Sequence, residues 1–266
     1  MLPHTEVNSA PMKSLTLAKE KASSQHQKSF KGGTTETMKT LKHSILAVIM
    51  FLLLCIPAEA EAKTTKNKAD YTFKTITQSF SGTYVTGKYS FKLPKVKGSS
   101  KVVKKINRSL KAIYKESFTN RDRLRSYAEG AGSSFSGAEF WDTTTCKVTY
   151  NKKGIVCFCF QNDWFAGGVH NAYHYGASYS LKTGKKLVLT DVMKGSKKSI
   201  RNKIVKAYVK KLGYTRDEET IRKSLSYTAF KDFHFWLKNG KVLVNNGSYA
   251  PGGGNGELVV KLKGNY

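Results

Sequence analysis

The chain predicts an α+β protein of antiparallel strands with two main amphipathic helices, arranged as two small packed subdomains. Three observations carry this. Aromatic and polar residues alternate over short stretches, as at Tyr71, Phe73 and Thr75 and again at Tyr173, Tyr175 and Tyr179, a period of two that belongs to strands. Two stretches instead repeat apolar residues every three or four positions: Val102, Ile106, Leu110, Ile113 and Tyr114, then Ile200, Ile204, Tyr208 and Leu212. That spacing belongs to helices with one buried face. Finally, strands and helices come in runs with no regular βαβ alternation, which separates this class from a parallel α/β sheet.

Residues 1–37 are polar, rich in Ser, Thr, Lys and Gln, and free of apolar periodicity. They predict a disordered leader, or one read from a start codon assigned too early. Residues 38–62 have the parts of a secretory signal peptide: Lys39 and Lys42, an apolar run over 45–54, and small residues at Ala58, Ala60 and Ala62. The run is about half the ~20 residues a membrane-spanning helix needs. Cleavage after Ala60 or Ala62 is therefore expected, and with it an exported protein. Contact with a membrane follows only if the leader stays uncut, which would make the chain an anchored sensor.

Residues 63–70 form a polar linker, 71–137 a first subdomain and 138–266 a second. In the first, strand-like alternation stops at Pro94, and Ser99 or Ser100 can cap the helix that follows. Residues 119–137 turn polar and Gly/Ser-rich, with a charged helical turn around 121–128. The second opens with strands over 143–150 and 155–160, joined through Asn151-Lys152-Lys153-Gly154. Strands over 173–181 and 186–189 flank a Lys182-Thr183-Gly184-Lys185 turn. The second long helix starts at Asp191 or Ser196 and stops at Gly213. Thr215 and Glu218 suggest a capping box for a shorter helix. Strands over 233–237, 242–245 and 258–262 close the chain, with an Asn239-Gly240 hairpin turn.

Lys and Arg number 46 against 18 Asp and Glu, a formal net charge of +28. Such an excess attracts polyanions. With an export signal, the expected partners are a cell-wall polyanion, a glycan or a wall-active protein; export and the lack of an RNA-binding signature argue against nucleic acid. Three cysteines remain after the leader, Cys146, Cys157 and Cys159. If Tyr150 faces Ile155 across the hairpin, Cys146 faces Cys159, and a disulfide between those two is a candidate. Three small buried hydrophobes are the alternative.

The stretch Asp163-Trp164-Phe165-Ala166-Gly167-Gly168-Val169-His170, followed by Ser180-Leu181-Lys182-Thr183-Gly184-Lys185-Lys186-Leu187-Val188-Leu189-Thr190-Asp191, resembles the signature of a family of exported bacterial domains, DUF3298. That signature couples a Gly-Gly-x-His turn to a hairpin reading D-L-K-T-G-K-x-L-x-L-x-D, with Ser180 in place of the acid here. Tyr249-Ala250-Pro251-Gly252 resembles the family's late Y-x-x-G turn. Gly87-Lys88-Tyr89 through Ile106-Asn107 is similar to the companion domain DUF4163. This pair of domains occurs beside a carbohydrate-deacetylase domain in some wall enzymes and as the outer part of lysozyme-sensing anti-sigma factors. The resemblance implies a wall-facing binding module, the ligand left open.

His170 and His174 lie four apart, but the glycine turn and tyrosine alternation place them on strand backbone, and no HExxH glutamate accompanies them. No metal, cofactor or catalytic residue is assigned. Asp142, Asp163 and Asp191 are the acids a glycosidase could pair. Trp164, Gly167, Gly168, His170 and Tyr249 are the candidate ligand contacts, because aromatic and glycine-rich turns supply stacking area and close approach. The expected function is a non-catalytic, strongly basic envelope-binding protein such as would hold an anionic wall polymer, a glycan or lysozyme. A wall hydrolase or esterase is the alternative.

Overall fold

The computed structural model describes residues 67–168, 170–213, 217–247 and 256–266, all within the compact unit Ala62–Tyr266. The leader, the signal-peptide segment, Thr215 and Tyr249 lie outside the described residues.

Two sheets organise the unit. The first has the order β1-β2-β3-β4-β5, formed by β1 (Tyr71–Ser81), β2 (Thr86–Val96), β3 (Glu139–Lys152), β4 (Ile155–Phe165) and β5 (Asn171–Ser180). The second contains β6 (His234–Lys238), β7 (Lys241–Asn245) and β8 (Val260–Lys263). The α+β class is as expected, and the first sheet draws strands from both sides of residue 137, two before it and three after. Its strands pair antiparallel except β2 with β3, which run parallel. A parallel neighbour needs a long crossover, supplied here by α1 (Lys101–Glu116) and α2 (Phe118–Gly130). The Ser100 hydroxyl caps α1 by accepting from the Val103 N–H at 3.2 Å. Asn107 then docks the helix on β2: its amide donates to and accepts from the Val96 backbone, both at 2.8 Å.

Hydrophobic clusters fill both faces of the first sheet. Val156, Phe158 and Phe160 of β4 join Phe91, Leu110 and Leu124 on the helix-covered side. Cys157 and Cys159 join the cluster beneath the second sheet, α3 (Lys197–Leu212) and α4 (Glu218–Ser226). A strand buried on both faces explains why residues 155–160 are continuously apolar. The second sheet approaches closely at Gly176, where an added Cβ would collide with the Phe235 carbonyl.

The β3–β4 hairpin corrects the expected register. The strands run further than the alternation suggested and turn on Lys153-Gly154, both at positive φ, so that Lys152 rather than Tyr150 faces Ile155. A bulge between Val148 and Tyr150 shifts the pairing once more. Cys146 therefore faces Phe160 and lies in the helix-side cluster, while Cys159 lies in the other. The candidate disulfide would have to pass through the sheet; Cys146, Cys157 and Cys159 are all buried free thiols. Elsewhere, α2 replaces the expected single turn. Residues 186–189 contribute one bridge, Tyr179 to Lys186, and lead into a helical turn, in place of a strand. The cap of α4 is Asp217, whose carboxylate accepts from the Thr220 N–H at 2.7 Å.

Candidate functional site

Side chains that the hairpin brings together make a cluster at one end of the first sheet. Trp141 of β3 pairs across from Phe165 of β4, and their rings lie 4.8 Å apart at 32°. Next in register, Thr143 faces Asp163. The Trp141 Nε1–H donates to Asp163 Oδ1 at 2.5 Å. His170, just past the glycine turn, places Nε2 3.0 Å from the same oxygen. Two partners on Oδ1 fix the carboxylate and orient it, and the His170 and Asp163 side chains remain 53% and 36% exposed. The result is a rigid, solvent-facing set of an aromatic pair, a carboxylate and an imidazole, able to stack on and hydrogen-bond a polar ligand.

The expected contacts divide. His170 is in this cluster. Trp164 is not: strand alternation sends it to the opposite face, where it packs edge-on against Tyr127 of α2 at 6.0 Å. Gly167 has φ +80° and would press a Cβ against the Phe135 and Phe140 rings at 2.8 and 2.9 Å. Its absent side chain serves the turn and the core beneath it. Gly168 is exposed, and a Cβ added there would meet nothing within 4 Å. Trp141 and Phe165 were missed, because placing them together requires the bulge, which no local signal announces.

The acids also separate. Asp142 sits beside Thr143 in β3 and so points to the helix side, fully buried, its Oδ1 accepting from Asn162 Nδ2 at 2.5 Å. Its Oδ2 has no partner among the described residues. Burial pushes this carboxyl up to about 6, against the lowering pull of the Asn162 hydrogen bond. Asp142 and Asp163 thus do not face one gap. Asp191 accepts from Lys185 Nζ at 3.1 Å and from the Val188 N–H at 2.9 Å, which closes a turn.

A second polar constellation ties the sheets together. Glu257 accepts from the His174 N–H at 2.5 Å, lies 2.7 Å from His174 Nδ1, and accepts from Asn245 Nδ2. Although burial opposes it, the His174 and Asn245 hydrogen bonds hold the Glu257 carboxyl below its ordinary value. The His174 ring stacks on Trp236 at 5.4 Å. With both carboxylate oxygens engaged and Trp236 buried, this is a clasp between β5 and the second sheet. His174 and His170 are therefore committed to different carboxylates. Among the described residues, no group of three or more His, Cys, Asp or Glu side chains could hold a metal ion.

The two-sheet α+β fold has counterparts among solved structures. A DUF3298 family protein from Pseudomonas aeruginosa PAO1 superposes with a TM-score of 0.53 at 14% identity, over 75% of this chain and 92% of that one. A DUF3298 family member from Bacteroides fragilis does so with a TM-score of 0.51 at 13% identity, over 74% of this chain and 91% of that one. The chain shares their fold. No family profile and no curated protein matches it.

Proposed function

We propose that the chain is an exported module of the DUF3298 type, its first part DUF4163-like, that binds an anionic polymer of the cell envelope without transforming it. The observation that carries this is the distribution of base. Exposed lysines line α1, among them Lys101, Lys104, Lys105 and Lys111, and α3, among them Lys197, Lys198, Lys206 and Lys210, on a chain of net charge +28. Rows of ammonium groups on two helices suit a flexible chain of phosphates or carboxylates better than a single small anion. The signal-peptide features and the likeness to the DUF3298 structures support an envelope setting. Cosedimentation of the purified protein with purified anionic wall polymer tests the reading. Binding that weakens steeply with salt, and with Lys104→Glu/Lys105→Glu, agrees with it; failure to bind at low salt refutes it.

One observation favours a second reading, a wall hydrolase or esterase: the 3.0 Å contact of His170 with Asp163 resembles an oriented base. Turnover of peptidoglycan that disappears in both Asp163→Ala and His170→Ala would replace the first reading with this one.

A further inference from the structure

The first sheet ends on β1, and its pairing shows where the outer backbone of that strand points. Antiparallel partners alternate between pairs that exchange hydrogen bonds and pairs whose N–H and C=O groups turn outward. The Gly82 N–H donates to the Val85 carbonyl at 2.9 Å, and the Lys97 N–H to the Asp70 carbonyl at 2.7 Å. These mark the two ends of the ladder, so the even-numbered residues of β1 bond to β2. Pro94, which has no N–H, agrees by facing the odd-numbered Phe73. Phe73, Thr75, Thr77 and Ser79 therefore direct their backbone groups away from the sheet, along about 20 Å of edge. Among the described residues, no hydrogen bond reaches these outward groups.

The other edges are closed or short. On β5 the His174 N–H is taken by Glu257 at 2.5 Å, Tyr179 bridges to Lys186, and Phe235 of β6 presses on Gly176. β6 has five residues and β8 four. β1 has eleven, pairs with β2 without a bulge and contains no proline, so two of the usual means of blunting an edge are missing. Charge decides what such an edge admits. β1 and β2 carry Lys74, Lys88, Lys92 and Lys95 and no Asp or Glu, and Arg125 of α2 lies over the Phe80 ring at 4.7 Å. Lys95 faces Thr72 and so shares a face with Lys74; Lys88 and Lys92, opposite Ser79 and Thr75, share the other. A second copy of the chain would bring the same lysines against these. An acidic strand meets opposite charge on both faces.

We propose that the β1 edge binds an extended acidic segment of another protein, which adds to the first sheet as a sixth strand. The outward groups of Phe73 to Ser79 supply main-chain hydrogen bonds, which give affinity to any strand. The lysines on either face set the sign of the strand that is accepted. The inference goes beyond the envelope-binding reading, because it concerns a peptide on a strand edge and not a polymer on the helix lysines.

The test is titration of the purified protein with a blocked nonapeptide of alternating Glu and Val, followed by calorimetry and residue-resolved amide exchange. Binding is expected to slow exchange at Phe73, Thr75, Thr77 and Ser79 more than at the even-numbered amides between them, which β2 already holds. Thr75→Pro removes one outward N–H and leaves the bonds to β2 in place, so it should weaken binding at least about tenfold. Lys74→Glu/Lys95→Glu, at two exposed positions, should do the same with the backbone untouched. Lys104→Glu/Lys105→Glu should leave peptide binding unchanged while reducing retention on anionic polymer. No binding at low salt, binding that protects none of the four amides, or binding indifferent to both strand variants overturns the inference. Protection of the same amides by anionic polymer, or a dimer that Thr75→Pro dissociates, gives the edge to another occupant and overturns it too. If polymer retention still depends on Lys104 and Lys105 in any of these cases, the envelope-binding reading stands without it. Peptide binding with no polymer retention would instead reject that reading and keep this one.

Discussion

Asp142 shows how a single residue can set a pH dependence. Its carboxyl is buried with one oxygen unpartnered and is raised from 3.8 to about 6. The folded state therefore holds a proton there that the unfolded state has already released. This contribution to stability is fully present below pH ~4 and is lost as the pH rises through ~6. Asp142→Asn keeps a carbonyl for the Asn162 amide and removes the charge. Urea denaturation should show the variant more stable than the parent at pH 7, by about 3 kcal/mol at most, with little difference near pH 4. A variant less stable at pH 7 would mean that the carboxylate is stabilised where it lies. None of this was legible in the sequence: Asp142 and Asp163 look alike there. Strand parity, one residue out of phase, sends one into the core and the other to solvent.

At the level of elements, legibility followed the strength of the apolar pattern. The two long helices were legible because Ile106, Leu110 and Ile113, and Ile200, Ile204, Tyr208 and Leu212, each make a buried stripe. Helix α2 was not, since only Leu124 and Ala128 are buried in an otherwise polar segment; contact with the sheet stabilises it, not its own amphipathicity. The β3–β4 hairpin was legible as a hairpin but not in register, because a bulge changes which residues face each other without changing composition. Two expectations follow from the observed register. Alkylation in denaturant without reductant should find Cys146, Cys157 and Cys159 all free, and alkylation of the native protein should find none reactive, because burial pushes their thiols up. Recovery of a Cys146–Cys159 cross-link would contradict the sheet as described. Gly176→Ala should cost about 2–3 kcal/mol, seen as a lower denaturation midpoint with an unchanged m-value, because the Phe235 carbonyl leaves no room for a Cβ. A neutral effect there would mean that β6 does not cross β5 at this point.

At the scale of the whole molecule, the excess of base is spread over helices and sheet alike, as at Lys104 and Lys198 on the helices and Lys88 and Lys147 on the strands. The lysines of α1 and α3 were visible in composition and periodicity alone. The cluster of Trp141, Phe165, Asp163 and His170 was not, since its members come from separate strands and a turn and only the register assembles them. Of the candidate contacts, His170 joined the cluster because it follows the strand that carries Asp163, whereas Trp164 was assigned without knowledge of its face. Among the described residues, no helix is long and apolar enough to cross a membrane. The field of such lysines reaches beyond contact distance and is screened by salt.

The central claim is that the chain binds an envelope polyanion through its helix lysines and leaves it chemically intact. Cosedimentation of the purified protein with purified anionic wall polymer across a salt series, with the polymer analysed afterwards, tests this most directly. The account predicts strong retention at low salt, a steep fall as salt rises, a further loss in Lys104→Glu/Lys105→Glu, and polymer recovered at its original length and substitution. Retention indifferent to salt and to the lysine variants, or polymer returned cleaved or deacylated, would contradict it.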